Sequence, residues 1–153
     1  MKHLVILLMF FISVTAHSQN STESENAEQV VRDFFDAFHK QDSIALRKLA
    51  HPAVIMQSVS TTSKGEIKVI TEEYSKFLKS IVSIPATTRF EEKLHSFDVT
   101  INGSLATVIT AFSFYLNGNL SHCGVNSFSL VKMPEGWRIA HIIDTRIKEG
   151  CSE

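Results

Sequence analysis

His122, Cys123 and Asn126 stand within five positions of one another in the stretch SHCGVNSF, residues 121–128. Such residues serve three chemistries: a thiolate activated by an imidazole, a metal held by nitrogen and sulfur, or a polar ligand gripped by hydrogen bonds. The surrounding alternation predicts a β-strand, in which successive side chains point to opposite faces. His122 and Cys123 then stand back to back, and the imidazole cannot activate the thiol. One face carries His122, Gly124, Asn126, Phe128 and Leu130; the other carries Cys123, Val125, Ser127, Ser129 and Val131. No metal site is expected, because the seven histidines show no HxH or HxxxH spacing and no CxxC pair occurs.

The last predicted strand, Trp137 to Ile147, alternates in the same way. Trp137, Ile139, His141, Ile143 and Thr145 share one face; Arg138, Ala140, Ile142, Asp144 and Arg146 share the other. A carboxylate and a guanidinium two residues apart on one face can hold each other, or hold a polar ligand between them. As a structural pair they would be costly to bury and would need further hydrogen bonds, with Asn126 as their partner. As a binding end they would act with His122 and Asn126. The residue types leave both readings open.

The elements that must position these groups read clearly. Ala27, Val30, Val31, Phe34, Phe35 and Phe38 fall at i, i+3, i+4, i+7, i+8 and i+11, one face of an amphipathic helix. Asp42 or Ser43 can cap a short second helix through Leu49, which must stop before Pro52. Ala53 to Val59 reads as a strand, QSVSTTSKGE as a polar loop. Ile67, Ile70, Tyr74, Phe77, Leu78 and Ile81 then predict a third helix, closed by Pro85. From Thr88 the period changes to two, with runs over 89–101, 105–116, 119–131 and 137–147. Asn102-Gly103, Asn117-Gly118 and Pro134-Glu135-Gly136 separate them as hairpin turns. Three helices followed by a four-strand antiparallel meander is an α+β order.

The start of the chain, MKHLVILLMFFISVTAHSQ, pairs Lys2 with an apolar run from Leu4 to Ile12 and small residues at Ala16 and Ser18. That is the pattern of a secretory signal peptide over 1–18, cleaved after Ser18 or, alternatively, after Ala16. The run is too short for a membrane anchor, which needs roughly 18 apolar residues. The expected product is a secreted or periplasmic protein with no membrane attachment after cleavage. Residues 19–26, QNSTESEN, are polar without periodicity and read as a flexible leader. A single domain would occupy 27–148, with 149–153 as a tail. With 15 Lys and Arg against 16 Asp and Glu, no basic footprint points to nucleic acid. Two cysteines, Cys123 and Cys151, allow one bridge in an exported protein. That bridge would require the tail to fold back at Gly150, so free thiols are expected.

The segments FFDAFHKQDSIALRKLAHPAVIMQ and GWRIAHIIDTR resemble the opening and closing stretches of the nuclear transport factor 2-like superfamily, which includes ketosteroid isomerase and the SnoaL-like cyclases. The resemblance implies a curved antiparallel sheet wrapped around three N-terminal helices as a cone with a pocket. It also implies that Ala140, Ile142, Asp144 and Arg146 line the cone, leaving the Trp137 face outside for a homodimer contact. Phe34, Met56, Phe128 and Ile142 would form the apolar lining, and His122, Asn126, Asp144 and Arg146 the polar end. Ketosteroid isomerases use a carboxylate base with a tyrosine and a protonated aspartate. Matched to this chain, those positions fall at Gln57, Phe34 and Asn126, which cannot supply that chemistry. The resulting expectation is a cofactor-free domain binding a small, partly apolar molecule. The alternatives are a SnoaL-like cyclase or hydrolase, with Asp144 as base and His122 as partner, and a dimerising interaction domain whose cavity is packed shut.

Overall fold

The computed structural model describes residues 2–62 and 64–151, with side chains in the first helix from Ser21 onward. The expected signal peptide therefore lies outside the residues whose side chains are described. No helix among the described residues is long and apolar enough to cross a membrane.

Helix α1 spans Lys2–His39, and its stripe from Ala27 to Phe38 packs against the sheet, with Ala27, Val31, Phe34 and Phe35 buried. The expected flexible leader is helical instead. Glu23 anchors it, accepting from Lys132 Nζ at 2.5 Å and from Trp137 Nε1 at 3.0 Å. Helix α2, Ser43–Leu49, is capped by Asp42, whose side chain accepts from the Ile44 and Ala45 amides. Gln41, at φ 56°, turns the chain between the helices. Its amide donates to the carbonyls of Ile81 and Ile84, closing the end of helix α3, Tyr74–Val82.

The third helix begins later than its apolar spacing suggested. Residues Ile67–Glu72 form a strand, β2, antiparallel to β1, which spans Ala50–Thr61. The sequence IKVITE is rich in β-branched residues, which lose rotamer freedom in a helix and pack well on a pleated surface. Ile67 and Ile70 fall at helical spacing by coincidence; in the strand they point to opposite faces. The polar loop expected from Gln57 shrinks accordingly, because Gln57 to Thr61 belong to β1.

The remaining strands are β3 (Phe90–Leu94), β4 (Asp98–Asn102), β5 (Leu105–Leu116), β6 (Asn119–Met133) and β7 (Gly136–Arg146). Among the described residues the sheet has seven strands rather than the five expected, ordered β2-β1-β7-β6-β5-β3 with β4 also on β5. Only β1 and β7 pair in parallel. The run over 89–101 splits because its register on β5 shifts, from Leu94 opposite Phe112 to Asp98 opposite Ile109. Three residues on one strand face two on the other, which bends the sheet.

A second irregularity matters more. Ser129 pairs with His141, but Leu130 pairs with Ile139, so Ala140 is an extra residue in β7. The bulge reverses the alternation. Trp137 (3% exposed) and Ile139 (0%) face the core, and beyond Ala140 so do Ile142 (4%) and Asp144 (9%). The expectation that the Trp137 face lies outside is thereby corrected for Trp137 and Ile139. Ala140 itself is half-buried and is not among the residues lining the cavity.

The cysteines are joined, contrary to the free thiols expected. Cys123 and Cys151 form a disulfide with their Cα atoms 5.7 Å apart. The tail does fold back at Gly150, whose φ of 77° is costly for other residues. Mutual backbone bonds between Cys123 and Ile147, at 3.0 and 2.9 Å, extend the β6–β7 pairing to the bridge. Between them, Gly124 leaves no room for a side chain, since a Cβ there would overlap the Thr145 carbonyl. Replacing Gly124 by alanine should therefore lower stability by about 3 kcal/mol or more. Urea melts of the oxidised proteins measure this, and an unchanged midpoint would refute the close approach.

Candidate ligand cavity

Phe34, Phe35 and Phe38 project from the last turns of α1 toward Phe77 of α3 and Phe128 of β6. Phe34 and Phe77 lie nearly parallel with centroids 6.3 Å apart, and Phe34 meets Phe128 edge to face at 5.6 Å. Met56 and Ile142, cross-strand neighbours on β1 and β7, complete the apolar wall. Between this wall and the polar ends of β6 and β7 lies a cavity of about 350 Å³. It is not packed shut.

Seven of the eight residues named from the sequence line it: Phe34, Met56, Asn126, Phe128, Ile142, Asp144 and Arg146. His122 does not. Its strand parity matches that of Asn126, but it sits four residues further along β6, where it pairs with Phe114 across the ladder. The imidazole stacks on that ring at 4.8 Å and meets the edge of Phe112 at 5.8 Å. Burial holds its pKa below the ordinary value, reinforced by the positive charge of Arg146. The expected pairing of Asp144 with His122 is not assembled in the lining.

Asp144 is engaged elsewhere, its Oδ2 accepting from Arg146 Nε at 2.7 Å. The aspartate is buried while the arginine side chain is 55% exposed, so the pair spans the cavity wall and its rim. Asn126, directly opposite Asp144 in the β6–β7 register, does not complete this pair. It donates instead to Glu92 Oε1 at 2.7 Å.

Glu92 was not among the residues singled out from the sequence. It lies at the centre of β3, whose alternation buries Phe90, Glu92 and Leu94 in part and exposes Glu91 and Lys93. An acid spaced between two inward apolar residues is the signal that could have revealed it. Burial pushes its pKa up to about 7, with the negative charge of Asp144 adding to the effect; the Asn126 hydrogen bond and the Arg146 charge oppose it. The Glu92 backbone N–H donates to His39 Nε2 at 2.9 Å, which requires a neutral imidazole. Burial accordingly lowers the His39 pKa.

Gln57 and Phe34 occupy positions where ketosteroid isomerases carry a base and a donor. The Gln57 amide donates to Thr71 Oγ1 at 3.0 Å and its oxygen lies 3.1 Å from His141 Nε2, so it is held by side-chain partners. Among the described residues no group of three or more His, Cys, Asp or Glu is placed to hold a metal ion.

Residues 27–143 match the sequence profile of the SnoaL-like domain. The chain belongs to the SnoaL-like domain family. No curated protein sequence matches it significantly. Solved structures similar to this SnoaL-like chain include an NTF2-like protein from Streptomyces avermitilis, provisionally described as a dehydratase. It is 19% identical, with a TM-score of 0.65 over 84% of this chain and 99% of that one. An NTF2-like protein with a cystatin-like fold from Novosphingobium aromaticivorans is 14% identical, with a TM-score of 0.68 over 91% and 90%. A third, from the same genus and species and provisionally described as an aromatic ring hydroxylase, is 11% identical, with a TM-score of 0.63 over 83% and 90%. At these identities the likeness establishes the fold.

The raised pKa of Glu92 has a definite sign in stability. The unfolded carboxyl ionises near 4.5 and the folded one near 7, so its contribution is fully present below 4.5 and lost as pH rises through 7. Glu92→Gln removes the ionisation while keeping an oxygen for Asn126. Relative to wild type, the variant should gain on the order of 3 kcal/mol between pH 4 and pH 8. Urea melts of both proteins across that range measure it; parallel pH profiles would show that Glu92 is solvated like a surface carboxylate.

Proposed function

We propose that this SnoaL-like domain is exported and binds a small, partly apolar molecule in its cavity. The observation that carries the reading is the cavity itself, about 350 Å³, with an aromatic wall facing Glu92, Asn126, Asp144 and Arg146. Pockets of that size, largely apolar with a few placed polar groups, are suited to small ligands. An acid–base activity in the same cavity is the second reading, favoured by Glu92 rather than by Asp144 and His122. A carboxyl titrating near neutral pH can both take and return a proton.

Export is supported by the apolar N-terminal run and by the Cys123–Cys151 bridge, since disulfides persist in oxidising compartments. Self-association is supported by the outer sheet face, where Ile109 and Val125 stay exposed. That face would serve a homodimer.

Native mass spectrometry of the protein purified from its own host tests ligand and dimer together. The wild type should carry a retained small mass on a dimer, and Met56→Trp, which fills the cavity from its wall, should lose that mass. Apo protein throughout, with no ligand recovered from host extract, would defeat the binding reading; a monomer would defeat the dimer alone. N-terminal sequencing of the exported fraction should begin at Gln19. An intact Met1 there would overturn the assignment of residues 1–18.

A further inference from the structure

The charges around the cavity do not balance. Three carboxylates line it, Glu72, Glu92 and Asp144, against the single guanidinium of Arg146. Arg146 already donates to Asp144, so that pair neutralises itself. Glu92 has only an uncharged side-chain partner, the Asn126 amide. The other titratable group against it, His39 from α1, accepts the Glu92 backbone N–H and is neutral, so it supplies no counter-charge. Glu72, on the exposed strand β2 at the rim, adds a further negative charge. The facing wall is phenylalanine, an apolar surface whose ring faces attract cations.

From this arrangement we propose that the cavity takes an organic cation, a protonated amine on an apolar ring-bearing body, with the Glu92 carboxylate as its counter-ion. The inference rests on reading the cavity as a small-molecule site. An anionic ligand would enter against uncompensated carboxylates, with only an engaged guanidinium to receive it. A neutral ligand would make no use of the missing positive charge. A metal ion needs several converging ligands, and the described residues offer no such group. An alkylammonium needs only one carboxylate and an apolar surface for its body.

Binding of this kind is linked to protons. The amine requires ionised Glu92, whose carboxyl titrates near pH 7 in the folded protein. Affinity should therefore fall by about tenfold for each pH unit below 7, and complex formation there should release a proton. Above 7 the affinity should level off until the amine itself loses its charge.

Titration calorimetry with 1-naphthylmethylamine, 1-naphthylmethanol and 1-naphthoate tests the assignment, since the three share a ring system and differ in charge. At pH 8 the amine should bind about tenfold or more tighter than the alcohol, with naphthoate weakest. At pH 6 the amine should lose about tenfold, with proton release seen by comparing two buffers of different ionisation enthalpy. Glu92→Gln should bring amine and alcohol to within about threefold of each other. Equal affinities for all three in the wild type, or an amine preference that survives Glu92→Gln, would overturn the cation assignment and leave the cavity reading standing. Should the variant fail to fold, wild-type amine binding without proton release at pH 6 would overturn the assignment in its place. If none of the three binds, the cation assignment falls, and the cavity reading is decided separately by the native mass spectrometry of the host-purified protein.

Discussion

One extra residue in the last strand decides where both the core and the cavity lie. Without the bulge at Ala140, strict alternation would force a choice between burying Trp137 with Ile139 and burying Ile142 with Asp144. The first pair is needed against the middle of α1, where Glu23 meets the indole nitrogen. The second pair is needed to close the wall beside Phe34 and to place a carboxylate at the cavity. The bulge satisfies both, because a two-against-one pairing shifts the strand's parity by one residue while the ladder on either side continues. The same device recurs between β5 and its neighbours, where His95 to Phe97 face only two residues of β5 and Ser121 is the extra residue of β6. The curvature that makes room for a cavity is thus distributed over several added residues rather than bent into regular strands.

Legibility from sequence followed the range of the forces involved. Amphipathic spacing in α1, the Asp42 cap and the Asn117-Gly118 turn are local features, and each stands where it was expected; the other Asn-Gly turn falls one residue later, at Gly103-Ser104. The order of elements and the α+β class follow from them. Most of the polar end was also readable, because Asn126, Asp144 and Arg146 lie on strands whose alternation holds over the residues concerned. The errors arose where a distant partner decides. Ile67–Glu72 is a strand because β1 is there to pair with it. Cys123 and Cys151 meet because Gly150 turns the tail onto a strand that Gly124 lets approach. The apolar alternation of the last strand by itself points Trp137 and Ile139 inward; that Ile142 and Asp144 lie inside with them depends on a bulge that periodicity cannot reveal.

His122 shows the limit of parity most directly. It shares a face with Asn126, yet a face is longer than a site. Four residues along a strand is a displacement of roughly 13 Å, enough to move a side chain from the cavity to an aromatic contact with Phe114. Glu92 is the converse case. Its neighbours Glu91 and Lys93 make the segment look like a solvated charge run, and only its position between Phe90 and Leu94 marks it as inward-facing.

Glu92 and His39 together make this corner of the fold expensive across the pH range. The imidazole must stay neutral to accept the Glu92 N–H, and its lowered pKa means that stability is present above its unfolded value and lost as pH falls from there through the folded one. Glu92 behaves oppositely, losing stability as pH rises from about 4.5 to 7. Below the first range the histidine is the cost, above the second the carboxylate, and between them both contribute. The states that the fold favours, a neutral His39 and a protonated Glu92, coexist only above the His39 titration and below about 7. A structural pair would have relieved this: had His39 faced the Glu92 carboxyl, each charge would have stabilised the other. Instead the histidine holds the backbone and the carboxyl is turned to an amide and a cavity. Stability alone would select a glutamine at that position, since its oxygen would still accept from the buried Asn126 amide without an ionisation to suppress. On the proposed reading, the carboxyl answers to a cation bound in the cavity rather than to the groups that surround it.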